Sequence, residues 1–592
     1  MTFHLVNTSD EKTWNKSKKN LFLGEWCLRY SKKHLLKNLN YEICSPILKT
    51  KFEKEKAVEE IFHLVDIFLP KLSLLLNNYH KTHYSNRYWN ILIGHWLIRF
   101  VSTIYNRYYS LKYAIENYNI SSVTFLNSSN YNLAVHDTAS FTYASSCEMW
   151  NNIIFRKIFD YVCFNKIEVN FVNIPETHFI YSLPAQEKPN LKLKFQKFVF
   201  DLVSKFRRDN DAVIDGSYLS LLDNIKLNYF FHQVPFFSIE NNFDFNFNFN
   251  REDLKVFPKK SKISLFEFLN ETIYSAIPII FLENFSTLKS NISKLNWPKT
   301  PKFVFTSHKF DTDEIFKGWV AAQVERSVPY FVGQHGNCYG QRLFEGKPNW
   351  PERMTSSSFI TWGWDDGYKN NIKGFNFKKQ IKKNLKGEQG GVVLITTCVM
   401  FRFFPWDVVE EYKKNLNEQY DFIKNLSKFI FDKTIVRLHH TSLVKDNIDS
   451  FGEREVLLHK FPTLKIDNGL TKLQTLVNQN KLFVFSYDGT GILEFLYSDI
   501  PFIAFWPNKK EHLIDDYKIL KLYEDFYNVG IFFNNGAEAA LTVNKRWDEI
   551  KTWWNSHEVQ VAKNNFKKYF SLCKSNNANN LAKIFQDSIK KL

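Results

Sequence analysis

At 592 residues the chain is too long for a single hydrophobic core, so two large domains are the natural expectation. Hydrophobic residues at 44% and charged residues at 23% give the composition of a soluble globular protein. The net charge of +17 comes from lysines scattered along the chain rather than gathered in arginine-rich blocks, which argues against a specific nucleic-acid partner.

Seven cysteines, widely spaced and without a CxxC pair, form no disulfide framework. The first ten residues lack a basic stretch followed by an apolar core, so no signal peptide is expected. The longest apolar segment, 88–105, is interrupted by His95 and Arg99 and reads as a buried helix rather than a membrane span. The expected compartment is the reducing cytoplasm, with any membrane contact peripheral, at the inner membrane.

In chain order, a short strand at 21–27 ends in a loop carrying Glu25. Long helices are predicted over 51–79 and 84–116, then strands at 122–127 and 167–172. The Asn/Asp–Phe alternation of 241–251 fits an edge strand or an irregular loop. Strands at 302–306 and 329–332 bracket a helix near 313–327, and 359–362 closes this half. The lysine- and glycine-rich stretch 369–390 is the best linker candidate, so domains are expected at 1–368 and 391–592. Beyond it six short apolar strands, at 392–396, 434–438, 463–466, 482–485, 502–504 and 530–532, alternate with helical segments. That alternation predicts a parallel, doubly wound sheet, hence an α/β protein with two Rossmann-like domains facing a cleft and large helical insertions in the first.

Several motifs fall at predicted strand ends, where parallel sheets bind ligands. Ser486-Tyr487-Asp488-Gly489-Thr490-Gly491 joins a strand to a helix. Glycines and hydroxyls at such a helix start suit a phosphate, and Glu494, one turn on, is placed to hold a ribose. In Gly333-Gln334-His335-Gly336 an imidazole sits among glycines, where it can give a proton to or bind a phosphate. Arg437, His439, His440, Thr441 and Ser442 follow another strand and offer phosphate donors. Glu25 is a candidate general base on the acceptor side, or else pairs with an arginine and caps the first helix. Trp362-Gly363-Trp364-Asp365-Asp366-Gly367 reads as a solvated turn, and His308 and Asp311 are second-rank candidates. The cluster of His80, His83, Arg87, Trp89, His95 and Trp96 reads as helix packing. No residues stand at metal-ligand spacing, so neither a metal nor a cofactor is expected.

With these residues in hand, the chain resembles a family of bacterial surface-polysaccharide transferases found in lipopolysaccharide and capsule clusters. The resemblance rests on Leu23-Gly24-Glu25-Trp26-Cys27, His83 to Trp89, Ile93-Gly94-His95-Trp96, Gly333-Gln334-His335-Gly336 with Tyr339-Gly340, Trp362-Gly363-Trp364, and Ser486-Tyr487 with Thr490, Glu494 and Pro501. The architecture is also similar to B-type glycosyltransferases of Kdo, sialic and nonulosonic acids. In those enzymes a His-Pro motif and a hydroxyl pair sit near the cytidine nucleotide; here His439-His440 replaces the first, without its proline, and Ser486 with Thr490 the second. The resemblance implies transfer of an acidic sugar from a nucleotide-activated donor, CMP-linked, to a glycan or lipid-linked glycan. Arg437, His439, Ser486, Thr490, Gly491 and Glu494, with Gln334 and Gly336, would bind the donor, and His335 would assist departure of the phosphate. A glycerophosphate or phosphosugar transferase on the same frame, or a non-catalytic basic assembly or nucleic-acid-binding protein, are the alternatives.

Overall fold

The computed structural model describes residues 2–127, 133–163, 166–173, 202–236, 251, 264–382, 390–397, 402–439, 452–508 and 510–591. Its strands form three parallel sheets of five, five and six strands. The first is built from β1 (Phe3–Val6), β2 (Lys19–Phe22), β3 (Tyr41–Ile43), β4 (Ile120–Leu126) and β5 (Glu168–Val172), in the order β3-β2-β1-β4-β5. The second holds β6 (Val213–Ile214), β7 (Val304–Thr306), β8 (Tyr330–Gly333), β9 (Ser358–Ile360) and β10 (Asn371–Ile372), in the order β10-β9-β8-β7-β6. The third holds β11 (Gly391–Ile395), β12 (Thr434–Arg437), β13 (Lys465–Asp467), β14 (Asn480–Phe485), β15 (Phe502–Phe505) and β16 (Phe532–Phe533), in the order β13-β12-β11-β14-β15-β16. Central strands such as Phe3–Val6 and Phe502–Phe505 are buried along their whole length. Parallel strands covered on both faces need such unbroken apolar runs.

Helices α1 (Lys51–His80) and α2 (Asn86–Asn117) form a long antiparallel pair. A capping box between Thr50 and Glu53 starts α1, and Ser85 caps α2. α2 is buried over most of its length, His95, Arg99 and Arg107 included. It packs on α3 (Glu314–Val324) and α4 (Pro351–Thr355), which brings its polar residues to sheet two. Among the described residues no helix is long and apolar enough to cross a membrane.

The α/β class with parallel sheets and intervening helices is as expected. Three features differ from the expected domain plan. The stretch before residue 369 carries both five-stranded sheets almost wholly, where one sheet-bearing domain was expected, and their apolar residues join in one continuous core. The lysine-rich stretch from 369 is no loose connection: β10 pairs with β9, and Phe375 and Phe377 are fully buried. Two phenylalanines anchor the run, and Lys378 beside them turns inward to pair with Glu494. Finally, α5 (Val408–Asn425) and α6 (Thr490–Tyr497) belong to the run that builds sheet three, but the end of the chain leaves that sheet. The last helix, α7 (Asn577–Ile589), returns to sheet two, where Phe585 packs on Phe303, Phe305 and Phe331 with ring centroids 4.8–5.1 Å apart.

Candidate functional site

β8 ends at Gly333, and the chain then crosses the carboxyl edge of sheet two. Gln334 is fully buried, and its amide is used inside the protein. Its Oε1 accepts from Trp362 N at 2.8 Å and Trp364 Nε1 at 2.7 Å, while Nε2 donates to Gly336 O at 2.7 Å. This brace fixes the loop on which His335 stands. Gly340, at φ +74° with Trp364 filling the space of a Cβ, turns the loop back over the sheet.

From His335 a line of polar side chains runs inward. Nδ1 of His335 lies 2.8 Å from Tyr339 Oη, which is also 2.8 Å from Glu352 Oε1. Glu352 Oε2 lies 3.4 Å from His95 Nε2, and His95 Nδ1 lies 3.6 Å from Asp311 Oδ1. Arg99 ends the line with Nη1 2.7 Å from Asp311 Oδ1 and Nη2 donating to Oδ2 at 2.9 Å. Glu352 and His95 are 3% and 4% exposed, whereas Asp311 keeps 34% of its surface and His335 is half-buried. The line thus opens to solvent at Asp311 and at His335.

Burial sets the protonation states. It pushes His335 down to about 4 against the pull of Asp311, and His95 down to about 3. Both imidazoles are therefore neutral at neutral pH. Burial pushes Glu352 up to about 7, although the Tyr339 hydrogen bond pulls the other way. Burial would raise Asp311 too, but Arg99 and His95 outweigh it and hold that carboxyl well below its ordinary range.

Sheet three meets this line at the start of α6. A Cβ on Gly336 would lie 2.8 Å from Thr490 Oγ1, and Asn337 N donates to the same oxygen at 3.4 Å. Asn337 Nδ2 donates to Asp488 Oδ1 at 2.8 Å. The other oxygen of Asp488 takes His512 Nε2 at 2.8 Å and Tyr523 Oη at 2.7 Å, with Arg342 3.4 Å away. One turn into α6, Glu494 forms an ion pair with Lys378, whose ammonium lies 4.6 Å over the Tyr218 ring. Burial raises the Tyr218 phenol, and Glu494 and Asp311 both add to the rise, so both carboxylates lie within electrostatic reach of this ring. Lys378 and His308 in turn lie within electrostatic reach of His335.

The structure therefore gathers His335, Gly336, Thr490 and Glu494 from opposite ends of the chain and adds Asp311 to them. Three expected donor contacts do not fit, because their polar atoms are engaged within the protein. Gln334 is the brace described above. Ser486 is fully buried, bonded to Ile395 O at 3.3 Å and to Gln419 Nε2 at 3.1 Å. Arg437 binds Asp467 at 2.6 Å and the carbonyls of Thr471 and Gly469. Gly491 serves close packing, since a Cβ there would lie 2.6 Å from the Phe485 ring. Glu25 is held in an ion pair by Lys413 of α5, a lysine where an arginine partner was expected. His439 is half-buried just past β12, and His440, Thr441, Ser442 and residues 241–250 lie outside the described residues. Asp366 braces the buried Arg353 at 2.8 and 3.0 Å. Sequence reasoning gave no role to Tyr339, Glu352, Arg99 or Lys378. For Arg99 and His95 the signal was present, as polar interruptions of an otherwise apolar helix. Among the described residues no three His, Cys, Asp or Glu side chains cluster as a metal site.

A family model described as "LIC12162 family transferase" matches residues 3–585, nearly the whole chain. The chain belongs to the LIC12162 family of transferases. No curated protein matches it. Among solved structures it is similar to the spinosyn rhamnosyltransferase SpnG complexed with spinosyn aglycone, at 10% identity and a TM-score of 0.28, over 52% of this chain and 77% of that one. A second structure of the spinosyn rhamnosyltransferase SpnG gives 9% identity and a TM-score of 0.27, over 51% of this chain and 77% of that one. Resemblance at that level carries no argument about this LIC12162 family transferase, whose site has to be read from its own geometry.

Proposed function

We propose that this transferase is a B-type glycosyltransferase that moves an acidic sugar from a nucleotide-activated donor, CMP-linked, to a glycan or lipid-linked glycan acceptor of surface-polysaccharide synthesis. The observation that carries the reading is the close approach of Gly336 to Thr490. It sets a neutral imidazole from sheet two against the helix start of sheet three. Nδ1 of His335 is bonded to Tyr339, which leaves Nε2 as the nitrogen open to an acceptor hydroxyl. Held neutral by burial, with Nε2 open to the acceptor, this imidazole is on this reading the base, in place of the phosphate-side role expected from sequence. The N–H groups at the start of α6 suit the donor phosphate. Glu494 would exchange Lys378 for ribose hydroxyls, and the freed ammonium, with Arg99, would face the sugar carboxylate.

A calorimetric screen of cytidine, uridine and guanosine nucleotides tests this reading. Saturable binding of a cytidine nucleotide is expected. Binding of any oligonucleotide in a salt-sensitive manner, with no affinity for free nucleotides, would replace it by a basic-surface function.

A further inference from the structure

We infer that the proton taken from the acceptor hydroxyl does not remain on His335 but is passed through Tyr339 to Glu352, which is the proton store of the reaction. The inference rests on the reading of His335 as the base. Its geometric ground is the pair of 2.8 Å contacts that Tyr339 Oη makes, one to each partner.

A phenol has one proton, so the two contacts constrain each other. When Glu352 is ionised, Tyr339 donates to it, and His335 must donate its Nδ1 proton to Tyr339. Nε2 then carries the bare lone pair. As the acceptor proton arrives at Nε2, the Nδ1 proton moves to Tyr339 and the Tyr339 proton moves to Glu352. One proton has entered, one sits on the carboxyl, and the imidazole is neutral before and after, now protonated at Nε2. The route accounts for an otherwise awkward pairing of groups. A histidine held near 4 retains a proton poorly, whereas the carboxyl two bonds inward is poised near 7.

The groups facing this line are of both signs. Glu352 is met by His95 and Arg99 from α2, by Asp311 beyond β7 and by Tyr330 of β8. Cys338 and Glu345 approach from the His335 loop side. His335 is met by Asp311, Lys378, His308 and Arg99. None of the others touches Tyr339 Oη among the described residues, so Tyr339 is the link between His335 and Glu352 while the others tune the midpoint.

The test is imidazole ¹⁵N NMR on the full chain, with the His335 signal assigned by its loss in His335→Gln. The expected result is a change of the proton-bearing nitrogen from Nδ1 above to Nε2 below a midpoint near pH 7, without formation of imidazolium. Tyr339→Phe and Glu352→Gln should each abolish the change. In the unmodified protein, a single tautomer from pH 5.5 to 8.5 would overturn the relay without recourse to any variant. Persistence of the change in folded Tyr339→Phe would overturn it as well. The measurement needs no turnover, so it fails separately from the reading of His335 as base, which loses its ground if His335→Gln keeps normal turnover.

Discussion

His335 stands where a side chain can be both buried enough to be tuned and open enough to meet a substrate. A positioned general base contributes roughly 10²–10⁴-fold to a rate. His335→Gln should therefore reduce turnover by about that factor, with little change in nucleotide affinity by calorimetry. Glu494→Gln should act on binding instead. Loss of a hydrogen bond to a charged group costs about 1.5–3 kcal/mol, so the donor dissociation constant should rise at least about tenfold. Its ion pair with Lys378 is partly exposed, and stability should move by less than about 1 kcal/mol. Glu352 carries a pH signature in stability as well. A carboxyl whose affinity for protons is raised by folding contributes stability that is full below about 4.5 and is lost as pH rises to about 7. His335 and His95, held low, act in the opposite sense and weaken the fold as pH falls below 6.5. Denaturant titrations should show wild type losing about 3 kcal/mol relative to Glu352→Gln between those limits. A pH-independent difference would mean that Glu352 is ionised throughout.

Between elements, the contact that defines the site is that of the β8 loop with the β14–α6 turn. Gly336 is there because a Cβ has no room beside Thr490 Oγ1. Gly336→Ala should cost about 1–3 kcal/mol, the usual penalty of overpacking. Because the obstructing atom belongs to a side chain, Gly336→Ala with Thr490→Ala should recover part of that loss in a double-mutant cycle. Additive costs would show that the two residues do not touch. Asp488 makes the same junction electrostatically. Burial would raise its carboxyl, but Arg342 and the His512 and Tyr523 hydrogen bonds hold it down at about 2. Asp488→Asn leaves Arg342 beside it without its counter-charge, and breaking a buried pair in this way costs about 3–5 kcal/mol. Chemical denaturation would detect a loss of that size readily.

On the scale of the whole molecule, the first and last thirds are tied together at several places. Lys54 pairs with Glu411, Glu25 with Lys413, and Asn106 donates to Pro405 O. A further tie, between the end of the chain and its middle third, is α7, whose Phe585 fills the space over β7 and β8. Phe585→Ala should destabilise sheet two by about 3–5 kcal/mol, the ordinary cost of emptying a buried aromatic site. The change lies far from the α6 turn in sequence but adjoins the strands that carry His335. It should therefore lower the unfolding midpoint of the site-bearing sheet in pulse proteolysis. Unfolding confined to the final helix, with sheet two intact, would show that α7 is dispensable.

The parallel α/β class, the six short apolar strands of the last sheet, the α1–α2 pair and the motif ends of β8 and β14 were legible in the residues. Each rests on local periodicity or on glycine and hydroxyl chemistry at a strand end, which neighbouring residues determine. Strands as short as Val213–Ile214 and Asn371–Ile372 were not legible, because two residues carry no period. The division of the first half into two sheets escaped for the same reason. For the site, His335, Thr490 and Glu494 stood out by motif, but whether a polar group is free is a matter of its partners. Ser486 and Gln334 look equally suited to a ligand in sequence, yet folding consumes their hydrogen bonds. Likewise Glu352, on a five-residue helix with no motif of its own, gains its role only because α2, β8 and the His335 loop close around it. Burial and partner geometry, which shift proton affinities and spend or spare donors, exist only once distant segments meet.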